Sequence, residues 1–148
     1  MPALIGKYDY TLDLKNRLFV PPRYRELLAV EHGRHFVLSM GIDRCLYLFL
    51  PSQWEALISA GNESIRFGDK RKQRAVKRVL FSGAMEAAPD EQGRILVPQE
   101  LKEYAALRKE VVIAGSGNKA ELWDRRRFEL EQRPALGLFK KLGTQLDL

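Results

Sequence analysis

The chain has 148 residues, 45% hydrophobic and 30% charged, which is the composition of a folded globular protein and not of a disordered one. Lys+Arg 25 against Asp+Glu 19 leaves a formal charge of +6, which fits a polyanionic partner. A single cysteine, Cys45, excludes an intramolecular disulfide and a cysteine-built metal site, and it predicts a reducing compartment.

Apolar runs such as Cys45–Pro51 are too short to span a bilayer. Met1–Tyr10 lacks the basic start and apolar middle of a signal peptide. Both features predict a cytoplasmic protein. In chain order, Tyr8, Tyr10 and Leu12 alternate as a strand, with Tyr8 and Tyr10 expected one inside and one outside. A tight turn over Asp13–Asn16 follows, then a strand over Arg17–Val20, so a β-hairpin is the economical reading. Pro21 ends that strand and Pro22–Leu28 starts a short helix. His35–Met40 and Cys45–Leu50 form a strand pair joined by Gly41-Ile42-Asp43-Arg44. Helical segments are predicted over Pro51–Ala60 and Asp69–Ser82, with a compact region at Ser59–Phe67. The pattern then recurs: Met85 and Ala87, a turn over Asp90–Gly93, a strand over Arg94–Val97, a helix over Gln99–Ala106, and strands Glu110–Ala114 and Ala120–Trp123. The tail Arg125–Leu148 reads as helix interrupted near Pro134 and Gly143.

The recurrence is an internal duplication. Asp13, Arg17, Leu18, Val20 and Pro21 reappear 77 positions later as Asp90, Arg94, Ile95, Val97 and Pro98. Arg25-Glu26 corresponds to Lys102-Glu103. Farther on, Gly41, Leu48, Phe49, Trp54 and Glu55 match Gly115, Leu122, Trp123, Phe128 and Glu129 at an offset of 74. A three-residue deletion near His32–His35 is expected to account for the change. A unit this small cannot bury its own core, so the two copies are expected to complete one barrel with interleaved hairpins. The fold class is therefore α+β, mainly β barrel with added helices. The expected organisation is repeat one at 7–53, a helical linker at 54–83, repeat two at 84–127 and a tail at 128–148. Trp54 and Phe128 are expected to anchor the core.

Asp13 and Asp90 open the turns because a carboxylate accepts nearby backbone N–H groups. Asn16 and Gly93 share the position that needs a left-handed backbone. Arg17 and Arg94 stand just beyond each turn, where a guanidinium forks onto a phosphate or a guanine edge. Lys15 and Gln92 lie at the tips, within reach of base edges or phosphates. The plainer reading is that Asp13 with Arg17 and Asp90 with Arg94 are salt bridges holding the turn. The linker carries Arg66, Lys70, Arg71, Lys72, Arg74, Lys77 and Arg78, opposed by Asp69. Its apolar stripe, Ala75, Val76, Val79 and Leu80, packs on the barrel or on a neighbouring subunit, while Lys70, Arg71 and Arg74 are candidates for non-specific phosphate contact. The stripe is too weak to predict membrane binding.

Catalysis is not predicted. His32 and His35 lie in a loop without a nucleophile, Cys45 lies in an apolar strand, and Gly115-Ser116-Gly117 lacks the rest of a phosphate-binding loop. A catalytic pocket holding titratable groups is accordingly not expected, nor is a metal, a cofactor or a small-molecule ligand.

The duplicated Asp-x-x-x-Arg hairpin, Arg23–Glu26, Cys45–Leu48, Trp54-Glu55, Gln92–Pro98 and Glu121–Trp123 together resemble the MraZ family, regulators of the bacterial division and cell-wall gene cluster within the AbrB/SpoVT superfamily. The likeness runs from about residue 5 to 130. It implies two swapped-hairpin repeats forming one pseudo-symmetric barrel, and a sequence-specific, nucleoid-associated repressor that binds double-stranded DNA through short direct repeats. It also implies a ring-like homo-oligomer, and it maps DNA contact onto Asp13 with Arg17 and Asp90 with Arg94. The family usually has glycine where this chain has Asn16, which is expected to preserve the turn and alter its fit to a groove. The alternative class is an antitoxin-like scaffold that uses the same barrel for assembly alone.

Overall fold

The structure is a computed structural model and describes residues 2–60 and 68–147. Arg66, Phe67 and most of the Ser59–Phe67 segment lie outside the described residues. The first repeat contributes β1 (Lys7–Thr11), β2 (Arg17–Phe19), α1 (Pro22–Val30), β3 (Phe36–Met40) and β4 (Leu46–Phe49). Two helices follow, α2 (Pro51–Ala60) and α3 (Lys70–Ser82). The second repeat contributes β5 (Met85–Ala87), β6 (Arg94–Leu96), α4 (Gln99–Tyr104), β7 (Glu110–Gly115) and β8 (Ala120–Asp124), and α5 (Arg125–Leu142) ends the chain's regular structure.

The strands of the two repeats are exchanged. A six-stranded antiparallel sheet runs β1-β7-β8-β4-β3-β5, and β2 pairs with β6 in a separate two-stranded ribbon. Thus β1 of the first repeat lies on β7 of the second, while β5 of the second lies on β3 of the first. The self-matching pairs fall on a pseudo-two-fold axis. Leu18 faces Ile95 in the ribbon, and Tyr47 faces Glu121 in the middle of the sheet. Among the described residues the ladder is not a continuous closed barrel, since the ribbon is hydrogen-bonded apart from the sheet.

Strand exchange corrects the hairpin reading. The turn closes locally, with the Asp13 N–H donating to the Arg17 carbonyl at 3.0 Å, but β1 and β2 then part to different partners. Each repeat's strands offer an apolar face that its own few residues cannot cover, and the other copy supplies the cover. Leu18 and Ile95 are 0% and 1% exposed and pack with Leu12, Val20, Phe36, Leu38, Leu122 and Val97 in one core. Tyr8 and Tyr10 are also corrected. Two residues apart on one strand, they share a face, and their rings stack with centroids 6.4 Å apart.

The length difference between the repeats lies in the helices and not in the loop near His32–His35. Helix α1 has 9 residues and α4 has 6, and both close with a left-handed residue, His32 (φ 56°) and Ala106 (φ 52°). The closing hydrogen bonds also match, Gly33 N–H to the Leu28 carbonyl and Leu107 N–H to the Lys102 carbonyl.

Helix α3 starts at Asp69, whose carboxylate accepts the N–H groups of Arg71 and Lys72 at 2.8 and 3.3 Å. Its stripe residues Ala75, Val76 and Val79 remain exposed in the single chain. Phe128 is buried against Trp123, and Trp54 is half-buried between Phe49 and Phe81. Helix α5 runs unbroken through Pro134, contrary to the predicted interruption there, and ends at Gly143. This stretch is solvent-exposed, where a helix carbonyl without a backbone donor costs less than it would in a core. No helix among the described residues is long and apolar enough to cross a membrane.

Candidate nucleic-acid interface

Each turn is built around one aspartate. Asp13 Oδ1 accepts the N–H groups of Lys15 and Arg17 at 2.9 and 2.8 Å, and Oδ2 accepts Arg17 Nε at 2.7 Å. Asp90 repeats the pattern, with Gln92 and Arg94 N–H at 2.9 Å each and Arg94 Nε at 3.0 Å. Asn16 (φ 60°) and Gly93 (φ 83°) both take the left-handed backbone that the turn needs. The salt-bridge reading is therefore correct as far as it goes: both aspartates hold their own turn and their own arginine. Pairing uses Nε, so it fixes the guanidinium in place without consuming all five of its donors.

The ribbon brings the two turns together. Its register sets Arg17 opposite Leu96 and Arg94 opposite Phe19, so all four side chains stand on the same outward face while Leu18 and Ile95 point into the core. Asp13 Oδ2 also lies 3.8 Å from Arg94 Nη1, so one carboxylate oxygen touches both arginines. The arginine side chains keep 35% and 19% of their surface. Phe19 and Leu96 are exposed between them, and the Arg94 guanidinium carbon lies 6.0 Å from the Phe19 ring centre. Sequence reading missed Phe19 and Leu96 on this face, although i, i+2 alternation from Arg17 and Arg94 signals both.

The tips differ in charge. Lys15 and the fully exposed Leu14 crown the first turn, and Glu91 and Gln92 crown the second. Lys70, Arg71 and Arg74 are exposed on α3, which packs against β3. Among the described residues, no ion pair or side-chain hydrogen bond links these three to the ribbon.

Backbone N–H donation from Arg17 and from Arg94 is the main reason that Asp13 and Asp90 sit below the ordinary carboxylate pKa. A lowered folded-state value means that the turn's stabilisation is complete above the unfolded value of about 3.9 and is lost as pH falls through the folded value. Amide NMR shifts of Lys15, Arg17, Gln92 and Arg94 are expected to stay constant from neutrality to about pH 4 and to move together below it. A transition centred above about pH 5 would contradict the assignment.

Other candidates have structural partners. Burial pushes the Cys45 thiol up to about 12, and its sulfur lies 3.1 Å from the Ile42 carbonyl. His35 Nε2 is 2.6 Å from Glu86 Oε2, and His32 is exposed. No group of three His, Cys, Asp or Glu among the described residues is placed to hold a metal. A shallow open depression beside α4 does gather Lys102, Glu103, Arg108, Asp124 and Arg127, which the sequence did not lead us to expect. Asp124 there accepts the Arg108 N–H at 3.3 Å, and Arg127 donates to the carbonyls of Asp43, Arg44 and Ala105.

The chain matches known proteins over nearly all of its length. The family model described as "MraZ protein, putative antitoxin-like" matches residues 3–78 and again residues 80–146. A relative from Moorella thermoacetica is 43% identical over 142 residues, 96% of this chain and 95% of the relative. One from Heliobacterium modesticaldum is 39% identical over 142 residues, with the same coverage. One from Carboxydothermus hydrogenoformans is 41% identical over 119 residues, 80% of this chain and 79% of the relative. All three are named transcriptional regulator MraZ. Family match, duplicated architecture and paired arginine turns agree: the chain belongs to the MraZ family.

Proposed function

We propose that this chain is a sequence-specific double-stranded DNA-binding transcriptional regulator, a repressor that acts in the cytoplasm, at the nucleoid, on the promoter of the division and cell-wall gene cluster. The carrying observation is the ribbon face that holds both Arg17 and Arg94, on a diagonal and each pre-oriented by its own aspartate. A two-stranded ribbon fits a DNA major groove, and a fixed guanidinium fork matches a phosphate or the O6/N7 edge of guanine. Lys15 and Gln92 add contacts at the tips. Lys70, Arg71 and Arg74 add phosphate contacts that raise affinity and salt dependence without choosing sequence. The relatives' printed name supports a regulatory role, and no catalytic step, cofactor, metal or small-molecule ligand enters this reading.

The unlike tips give the pseudo-symmetric surface a polarity. A surface with polarity suits direct repeats, each read in the same sense by one copy. Leu130, Leu136, Leu138, Phe139 and Leu142 are all exposed on α5, apolar side chains that a neighbouring copy could cover, which supports a ring-like homo-oligomer. Several ribbons on one oligomer make the second DNA contact effectively intramolecular.

The test is an electrophoretic shift on DNA upstream of the chain's own gene. Cutting the operator to one repeat is expected to weaken binding by about a hundred-fold or more. Equal affinity for one repeat and for several would refute the avidity account. The antitoxin-like wording of the family model keeps one other reading in view, an assembly scaffold. Under it the oligomer forms, but DNA affinity is indifferent to Arg17 and Arg94.

A further inference from the structure

Each turn is held from outside by the other repeat. The Asn16 carbonyl accepts the Val97 N–H at 2.8 Å, and the Gly93 carbonyl accepts the Val20 N–H at 3.0 Å. Behind these backbone bonds stand two cations at matching positions of the duplicated sequence, Lys102 on α4 and Arg25 on α1. Lys102 Nζ donates to Asn16 Oδ1 at 3.0 Å, and Asn16 Nδ2 donates to Gln99 Oε1 at 3.2 Å. The Asn16 amide is thus fixed at both ends by α4. Arg25 holds its turn differently. Its Nε donates to the Val20 carbonyl at 3.2 Å, and its guanidinium lies flat against Gly93, with Cζ 2.6 Å from where a Cβ on that glycine would stand.

We infer that Lys102 and Arg25 are positioning residues for DNA contact, each reaching across from one repeat to fix the left-handed residue of the other repeat's turn. The two grips are not interchangeable. Glycine in place of Asn16 leaves Lys102 without its acceptor, and asparagine in place of Gly93 drives the Arg25 guanidinium from its seat. Residue 16 or 93 sets the direction in which the chain leaves the tip for Arg17 or Arg94, so loosening it blurs the guanidinium that follows. The asparagine at position 16 is thus matched by Lys102 and Gln99, as the glycine at position 93 is by Arg25. This inference rests on the DNA reading above.

The test is a double-mutant cycle on the full-length protein, with affinity for the upstream duplex measured by fluorescence anisotropy across a salt series. Lys102→Met and Asn16→Gly are each expected to weaken binding about five-fold, and the double variant no further, because both break the same bond. The slope of log affinity against log salt should stay at the wild-type value, and Lys102→Arg should recover most of the loss. Multiplying losses with a slope shallower by about 0.9 would overturn the inference, because Lys102 would then contact a phosphate itself. So would unchanged affinity in Lys102→Met alongside a large loss in Arg17→Ala. Should the arginine variants bind as the wild type does, the DNA reading fails on its own. Amide exchange then decides whether the grip exists. Faster exchange at Lys15–Arg17 in Lys102→Met, with Asp90–Arg94 unaffected, supports it, and unchanged exchange overturns it.

Discussion

Replacing Arg17 and Arg94 together by alanine is expected to lower affinity for the upstream duplex by at least about thirty-fold, because each bidentate arginine contact contributes about 1–3 kcal/mol. Both side chains stand on the outward face of the ribbon, outside the hydrophobic core, so the fold should change little. The oligomer should persist, since the exposed apolar face of α5 does not include either residue. Each single variant should show a smaller loss. The losses should not simply add, because Asp13 touches both arginines and reorients when one is removed. Titration against duplexes of operator and of scrambled sequence checks this: the operator loses more than the scrambled duplex if the arginines read bases, and equally if they hold phosphates only.

The second large effect is on stability. Leu18→Ala or Ile95→Ala removes half of the side-chain pair on the pseudo-two-fold axis, where both residues are almost fully buried. Each is expected to cost about 2–5 kcal/mol, the range for emptying a well-packed aliphatic site. Chemical denaturation measures the loss directly. The ribbon is only three residues long on each strand and owes its place to this contact. DNA affinity should therefore fall in these variants even though neither side chain reaches the outward face. A change below about 0.5 kcal/mol would mean that the ribbon is held mainly by its hydrogen bonds.

The duplication and the turn chemistry were legible in the sequence because they depend on local rules. An aspartate that accepts its own following N–H groups, and a left-handed residue three positions on, specify the turn whatever surrounds it. That the two copies interleave was expected from their size and from the family resemblance, but which strand pairs with which was not legible. Alternation tells which face of β1 is buried, but a partner in β2 and a partner in β7 bury that face equally well. The grip of Lys102 on Asn16 was hidden for the same reason. The repeat alignment matches Lys102 with Arg25, yet nothing in it says that the helix of one copy lies on the turn of the other. Pro134 shows the opposite failure, a strong local rule overridden where the helix is exposed and a carbonyl without a backbone donor costs less. Phe19 and Leu96 were legible from strand alternation, two positions after Arg17 and Arg94 and so on the same face.

The most direct measurement follows the Nε–H signals of Arg17 and Arg94 by NMR while the upstream duplex is added. Both signals are expected to shift together and to saturate at the same DNA concentration, because one ribbon carries both groups into one groove. Unmoved signals from this pair, with other arginines shifting instead, would contradict the account.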